Sequence, residues 1–327
     1  MTGSARDRLA ALDEAARALR SSPQRFDDGG QYRVEIPSVE GPEAFEAVLS
    51  EADQRGVGVH RVSQGSGITL LLDDDLRHYA TVGASRGIEV CLFVGPRGPW
   101  NGEASTLTPD GKNFGWRHLT VSTLSAAYDD VVRATELGIR SVLVADEGLA
   151  VLVAEARKNG ELPADLIIKA SAVLGLANPV GAALLADLGV DTLNVAGDTP
   201  LAELAAFRKA LTSILDLYVE GPDGLGGFLR YHHLGEIVRI AAPVHLKFGL
   251  RNAPNIYPSG AHLEAQAQAT GRERVRRAAI GLEHLDRQYH DAVASPVGRR
   301  RPGVPVAGAT TTGATTAGAT TVGAAHG

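Results

Sequence analysis

Short apolar runs recur eight times along the chain, at Tyr32–Pro37, Val57–Ser63, Ile88–Val94, Ile139–Ala145, Asp165–Ser171, Val190–Val195, Ile214–Glu220 and Pro243–Gly249. Between them lie longer stretches with helical spacing, at Pro42–Arg55, Asp73–Arg86, Leu124–Leu137, Leu149–Asn159, Pro179–Leu188, Pro200–Leu211 and Tyr231–Ile240. Runs of the first kind read as buried strands and stretches of the second kind as helices. Pro42, Pro179 and Pro200 stand at first helical turns, where a missing N–H costs nothing, and Gly56, Gly87, Gly138, Gly160 and Gly189 follow helix ends. Alternating strand–helix units repeated eight times predict an α/β fold, a closed (β/α)8 TIM barrel. Such barrels carry their chemistry at the C-terminal mouth of the strands.

Other segments break the pattern. Residues 1–30 hold an extra helix, Ser4–Leu19, with Leu9, Leu12, Ala16 and Leu19 on one face. It is expected to plug the barrel floor, to pack on the outside or to bind a partner. The barrel then spans 31–290 and ends in a long helix, Leu263–Tyr289, whose basic run Arg272–Arg277 reads as a solvated face. The excursion Gly95–Ser122 holds both tryptophans, Trp100 and Trp116, and is long for a loop in this fold, so a lid over the mouth is expected. Residues 291–327 run into a Gly-Ala-Thr-Thr repeat without large apolar side chains. A disordered tail is expected there, one whose removal after Ser295 leaves stability unchanged.

Alternation along the strands separates the face toward the helices from the face toward the axis. It sends Asp216, Tyr218 and Glu220 inward from the seventh strand and His245, Lys247, Gly249 and Arg251 inward from the eighth. Lys169 and Ser171 point inward from the fifth, Thr192 and Asn194 from the sixth, and Arg33 and Glu35 from the first. Barrel axes are ordinarily filled with branched aliphatic residues, and isolated buried charge is costly. Charges in this number must pair with one another or line a ligand site. Lys169 and Lys247 are the first catalytic candidates, each as a Schiff-base amine or as a fixed cation for a carboxylate or phosphate. Glu35 and Glu220 are the candidate proton-transfer groups. Either could instead join Asp146 or Glu147 around a divalent metal, although no spacing in the chain is diagnostic of a metal site.

Loops after the seventh and eighth strands often bind phosphate in this fold. Here they contain Glu220–Gly227 and Leu250–Asn255, so Arg251 and Asn252 join the substrate-binding candidates, although Asp223 would repel a phosphate. Ser63 and Gln64, followed by Gly65-Ser66-Gly67, add donors at the same mouth, and Asn194, Ser171, Tyr218 and Trp100 complete the set.

Composition narrows the field. The 327 residues are 44% apolar with a formal net charge of -6, which gives no basic footprint for nucleic acid. No apolar run is long enough to span a membrane, and the first residues lack the apolar core of a secretory signal, so a cytoplasmic location is expected. The one cysteine, Cys91, excludes an iron–sulfur cluster built within the chain. No cofactor is predicted, a divalent metal stays open, and the oligomeric state is not legible.

At Val62–Gly67, Leu92–Pro96, Val144–Gly148 and Leu246–Pro254 the chain resembles bacterial barrel proteins of the collagenase-like peptidase family of unassigned catalytic type, numbered thirty-two. The resemblance covers about Arg33 to Leu285 and implies a barrel with a hydrolase label. It does not extend to the family's cysteine-rich signature, since Cys91 stands alone. The expectation is a barrel enzyme acting on a small anionic metabolite by lysine- and carboxylate-assisted lyase or isomerase chemistry. The alternatives are a peptidase-type hydrolase, with or without a metal, and a non-catalytic barrel scaffold.

Overall fold

In a computed structural model of the chain, which describes residues 4–95, 106 and 108–308, parallel strands close into one barrel in sequence order. The strands are β1 Tyr32–Pro37, β2 Arg61–Gln64, β3 Glu89–Val94, β4 Ser141–Val144, β5 Ile167–Ala170, β6 Thr192–Asn194, β7 Ile214–Glu220 and β8 Val244–Phe248. The helices are α1 Ala5–Ala18, α2 Pro42–Arg55, α3 Asp73–Arg86, α4 Val121–Glu136, α5 Glu147–Asn159, α6 Pro179–Asp187, α7 Leu201–Ala210, α8 Leu234–Ala241 and α9 Glu264–Gln288. The predicted (β/α)8 fold is thus the observed one. Several strands are shorter than the apolar runs that encode them, because residues such as Val57 and Val59 are buried before the hydrogen-bonded ladder begins. Among the described residues no helix is long and apolar enough to cross a membrane.

The strand faces sort as alternation requires. Val34, Ile36, Val62, Leu92, Ile168, Leu217 and Leu246 are buried in the apolar layer between sheet and helices. Glu35 and Arg61 are register partners across β1 and β2, and Glu35 and Lys247 across β1 and β8, so these charges share one level of the axis.

Segments from both ends of the described chain close the barrel floor. Helix α1 packs on the outside of the barrel, against α7. The following segment turns beneath the strands, where Ser22 Oγ donates to Ala242 O at 2.6 Å and the Phe26 ring meets His245 edge-on at 5.4 Å. The Arg33 guanidinium lies 3.9 Å over Phe26 and pairs with Asp28 at 2.9 Å. From the other end, Ser295 N donates to Tyr32 O, Gly303 N to Asp165 O and Val306 N to Gly138 O, while Val304 is buried.

Residues 296–308 were expected to be loose, and that expectation is corrected. Their few valines and glycines suit a strap that must pass close beneath a barrel: a Cβ on Gly303 would stand 2.9 Å from the Glu89 carboxyl carbon. The Gly-Ala-Thr-Thr repeat itself, residues 309–327, lies outside the described residues.

Candidate functional site

Polar side chains fill the middle of the barrel. Lys169 Nζ stands 2.5 Å from Glu35 Oε2 and 3.5 Å from Asp216 Oδ2. Arg61 reaches Glu89 at 2.8 Å, Asp216 at 2.9 Å and Glu35 at 3.3 Å. Lys247 Nζ lies 3.5 Å from Glu35 Oε1 and 4.2 Å above the Tyr218 ring, and it stands 2.7 Å from the Asn194 side-chain amide, whose oxygen faces it when the amide is turned to suit its neighbours. Ser63 Oγ donates to Glu35, Thr192 Oγ1 to Asp216 at 2.8 Å and Ser141 Oγ to Glu89 at 2.7 Å. Three carboxylates (Glu35, Glu89, Asp216) thus face three cations (Arg61, Lys169, Lys247), and the network is neutral.

Electrostatics follow from this packing. Burial would raise the Glu35 pKa, but the Lys169 ammonium, then Lys247 and Arg61, outweigh it and hold the carboxyl well below the usual range. Asp216 is held low against burial by Lys169, Arg61 and His245. His245 lies 2.8 Å from Asp216, yet burial and the Arg61 charge push it down to about 3, so it is neutral. A carboxylate held this low is a poor base, which argues against the proton-transfer role expected of Glu35. Lys169 is clamped between two carboxylates, Glu35 and Asp216.

Glu220 is not at the axis. A bulge between Tyr218 and Glu220 breaks the alternation of β7, so Glu220 pairs in register with the outward Phe248. Its carboxylate accepts from Tyr231 Oη at 2.6 Å and from Arg251 N at 2.8 Å, with Arg277 at 3.6 Å. The inward placement expected of Glu220 is therefore corrected, and the axial carboxylate that Lys247 meets is Glu35.

The mouth loops hold carboxylates of their own. Glu40 accepts from Gly65 N at 2.7 Å, from Ser66 N at 3.1 Å and from Ser66 Oγ at 2.5 Å. Asp223 accepts from Asn252 N at 2.5 Å and lies 3.6 Å from Arg251 Nε. The donors expected to greet a phosphate are thus engaged internally, and Arg251 and Asn252 are exposed on the rim. Gln64 exchanges hydrogen bonds with Gly67 and shapes that turn. Ser171, buried at the end of β5, caps the turn that follows by accepting from Val173 N. Tyr218 faces inward as expected, under the Lys247 ammonium.

Part of the excursion lies where a lid would. Trp116 meets the Phe93 ring edge-on at 6.2 Å. Arg117 donates to Ala145 O and to Leu174 O, beyond the ends of β4 and β5. Trp100 lies outside the described residues.

His118, which the sequence reading did not single out, sits against Gly95 just past β3, and among the described residues neither ring nitrogen has a hydrogen-bond partner. No periodicity marks a histidine in a loop, so only its place among the excursion's polar residues could have drawn attention. Among the described residues no group of three or more His, Cys, Asp or Glu could hold a metal. Asp146 caps α5 by accepting from Leu149 N at 2.8 Å, and Glu147 pairs with Arg117 at 3.1 Å.

No family model matches the chain, and no curated protein matches it. Some solved structures are similar to it in part. A U32 peptidase is 20% identical over 61% of this chain and 73% of its own, with a TM-score of 0.39. A 3-hexulose-6-phosphate synthase is 15% identical over 75% of this chain and 99% of its own, with a TM-score of 0.40. The phosphoribosylanthranilate isomerase from Thermotoga maritima is 12% identical over 76% of this chain and 98% of its own, with a TM-score of 0.41.

Proposed function

We propose that the protein is a barrel enzyme that binds a small carboxylate-bearing metabolite at its C-terminal mouth, with Lys247 as the cation that grips or polarises a substrate oxygen. The observation that carries this reading is the position of Lys247. It lies next to the last residue of β8, two residues above His245, and its carboxylate contact at 3.5 Å is longer than the 2.5 Å of Lys169. Of the axial lysines it is the one held by a single carboxylate, and at the longer distance. Glu35 is shared between the two lysines and stands against the amine of each, so electrostatic work is preferred over Schiff-base attack.

A carboxylate is favoured over a phosphate for two reasons. The axial network is already neutral and has no surplus cation for a dianion. The loop donors that would cradle a phosphate hold Glu40 and Asp223 instead. A second reading, a barrel without catalysis, is favoured by the same completeness of the network. The hydrolase reading rests on resemblance alone, and burial pushes the Cys91 thiol up to about 11, which leaves it a poor nucleophile.

Thermal melting with a panel of small carboxylates and phosphate esters tests the proposal. Carboxylates should raise the melting temperature of the protein, phosphate esters should not, and Lys247→Met should fold and lose the response. An unchanged carboxylate response in Lys247→Met would return the residue to a purely structural role. Borohydride with the bound acid should trap no covalent adduct.

A further inference from the structure

Exposed apolar side chains are spread unevenly over the outside of the barrel. Among the described residues, α2, α3, α7, α8 and α9 expose no leucine, isoleucine, valine or phenylalanine, whereas α4, α5 and α6 expose Val121, Leu152, Val180 and Leu184. Helix α6 goes furthest: Val180 is 39% exposed, Leu184 60% and its C-cap Leu188 40%. A spacing of four sets these three in one stripe along the helix, and the exposed Gly181 and Asp187 fall on the same face. The next residue, Gly189, sits against Ala154 of α5 and accepts from Arg157 Nη2 at 2.7 Å. Helix α5 therefore runs directly beside the stripe, and its Leu152 widens it. Single exposed leucines are ordinary, but a continuous apolar stripe marks an interaction surface.

The stripe suits a copy of itself. It is symmetric about Leu184, with Val180 one turn before and Leu188 one turn after. A second α6 laid antiparallel across Leu184 brings Leu184 to Leu184, Leu188 to Val180 and Asp187 to Gly181. Charge points to the same arrangement. Asp187 is the one charged residue of α6 and stands in its last turn, where the helix dipole disfavours an acid, and the first turn has none. In the antiparallel pair each Asp187 reaches the first turn of the other helix, where the dipole favours it. Gly181 leaves room for it: a Cβ there would meet nothing closer than Asn178 Oδ1 at 3.8 Å, so the surface is open at this point.

We propose that the outer face of α6 is the contact of a homodimer, in which a second copy of this chain packs its α6 antiparallel on the first, with Leu184 at the two-fold axis. Both copies use the same face, so the assembly closes at two. Antiparallel packing of α6 points the two barrel mouths in opposite directions, and both stay open. The inference does not depend on the reading of Lys247.

The test is sedimentation velocity of the full-length protein over a dilution series. The protein should sediment as a dimer that dissociates on dilution. Leu184→Glu should raise the dissociation constant about 30-fold or more, the effect of losing a central contact residue. Asp187→Lys separates the dimer from the fold by sign. The lysine suits the C-terminus of its own helix and opposes the N-terminus of the partner's. It should therefore weaken the dimer without lowering the melting temperature of the diluted protein. Leu184→Cys should link copy to copy on mild oxidation, since Cys91 is buried and stays out of the reaction. These two variants decide the matter if Leu184→Glu fails to fold. A protein that is monomeric at every concentration would overturn the proposal, as would a dimer that both Leu184→Glu and Asp187→Lys leave intact. Dimerisation only after truncation at Gly308 would overturn it too, by making the chain's own tail the occupant of this face.

Discussion

Glu35 Oε2 stands 2.5 Å from Lys169 Nζ, and neither side chain has any solvent exposure. Two charges removed from water in this way stabilise a fold only if their partners are complete. The partners here are Lys247 and Arg61 on the carboxylate and Asp216 on the ammonium. The whole axis is thus one electrostatic unit, and its members respond to change together.

Removing the charge of Glu35 leaves three cations facing two carboxylates. Glu35→Gln should therefore cost about 3–5 kcal/mol, the range for breaking a buried pair. Urea unfolding of the variant would measure it. The double variant Glu35→Gln/Lys247→Met is neutral again and should recover part of the loss. A single-variant loss below about 1 kcal/mol would mean that water reaches the axis and screens it.

Acid should destabilise the protein before the ordinary carboxylate range is reached. Burial pushes His60 down to about 4 from 6.5, and His245 to about 3. His60 is fixed in its neutral form, accepting from Val34 N at 3.1 Å and facing Ser295 O at 2.8 Å. Below pH 6.5 the unfolded chain binds protons that the folded one refuses, so stability falls as pH falls. Each histidine contributes a slope of about 1.4 kcal/mol per pH unit until its folded pKa is passed. Glu35 and Asp216, with depressed folded values, stabilise above the ordinary carboxylate range, and that contribution is lost as pH drops through the lower folded values. Urea unfolding at pH 7, 5.5 and 4.5 would read the slope, and a flat profile would contradict the burial of both rings.

What the sequence made legible divides along physical lines. Periodicity is a local property, so the strand–helix units and the inward placement of Lys169, Lys247, Glu35 and Asn194 could be read from it. The bulge that turns Glu220 away from the axis interrupts that periodicity by one residue, and no single side chain announces it. Nor could Glu40 be matched to Gly65 and Ser66, because that pairing depends on how two loops meet in space. His118 has no pattern around it at all.

Cys91 should be chemically silent. It is fully buried on β3, and burial holds its thiol near 11. A thiol-specific reagent at pH 8 should modify none of the native protein and one group per chain in denaturant. Modification of the native protein at the denatured rate would mean that the barrel axis opens to solvent.

The strap beneath the barrel gives the sharpest stability prediction, because composition alone argued the other way. Val304 is 2% exposed, Arg301 Nη2 donates to His60 O at 2.5 Å, and Val306 N donates to Gly138 O at 2.9 Å. Truncation after Gly308 should leave the melting temperature unchanged. Truncation after Ser295 exposes the floor next to Glu89 and removes a buried valine, worth about 1.5–3 kcal/mol of burial, so melting should fall by about 5 °C. Gly138→Ala provides an independent check with the chain intact. Its backbone has a φ of 101°, where a side chain is strained, and a Cβ there would collide with Val306 O. That variant should lose stability in the full-length protein and lose less in the chain truncated after Ser295, where the collision is gone but the strain is not. Equal losses in the two backgrounds would mean that the strap does not rest on Gly138.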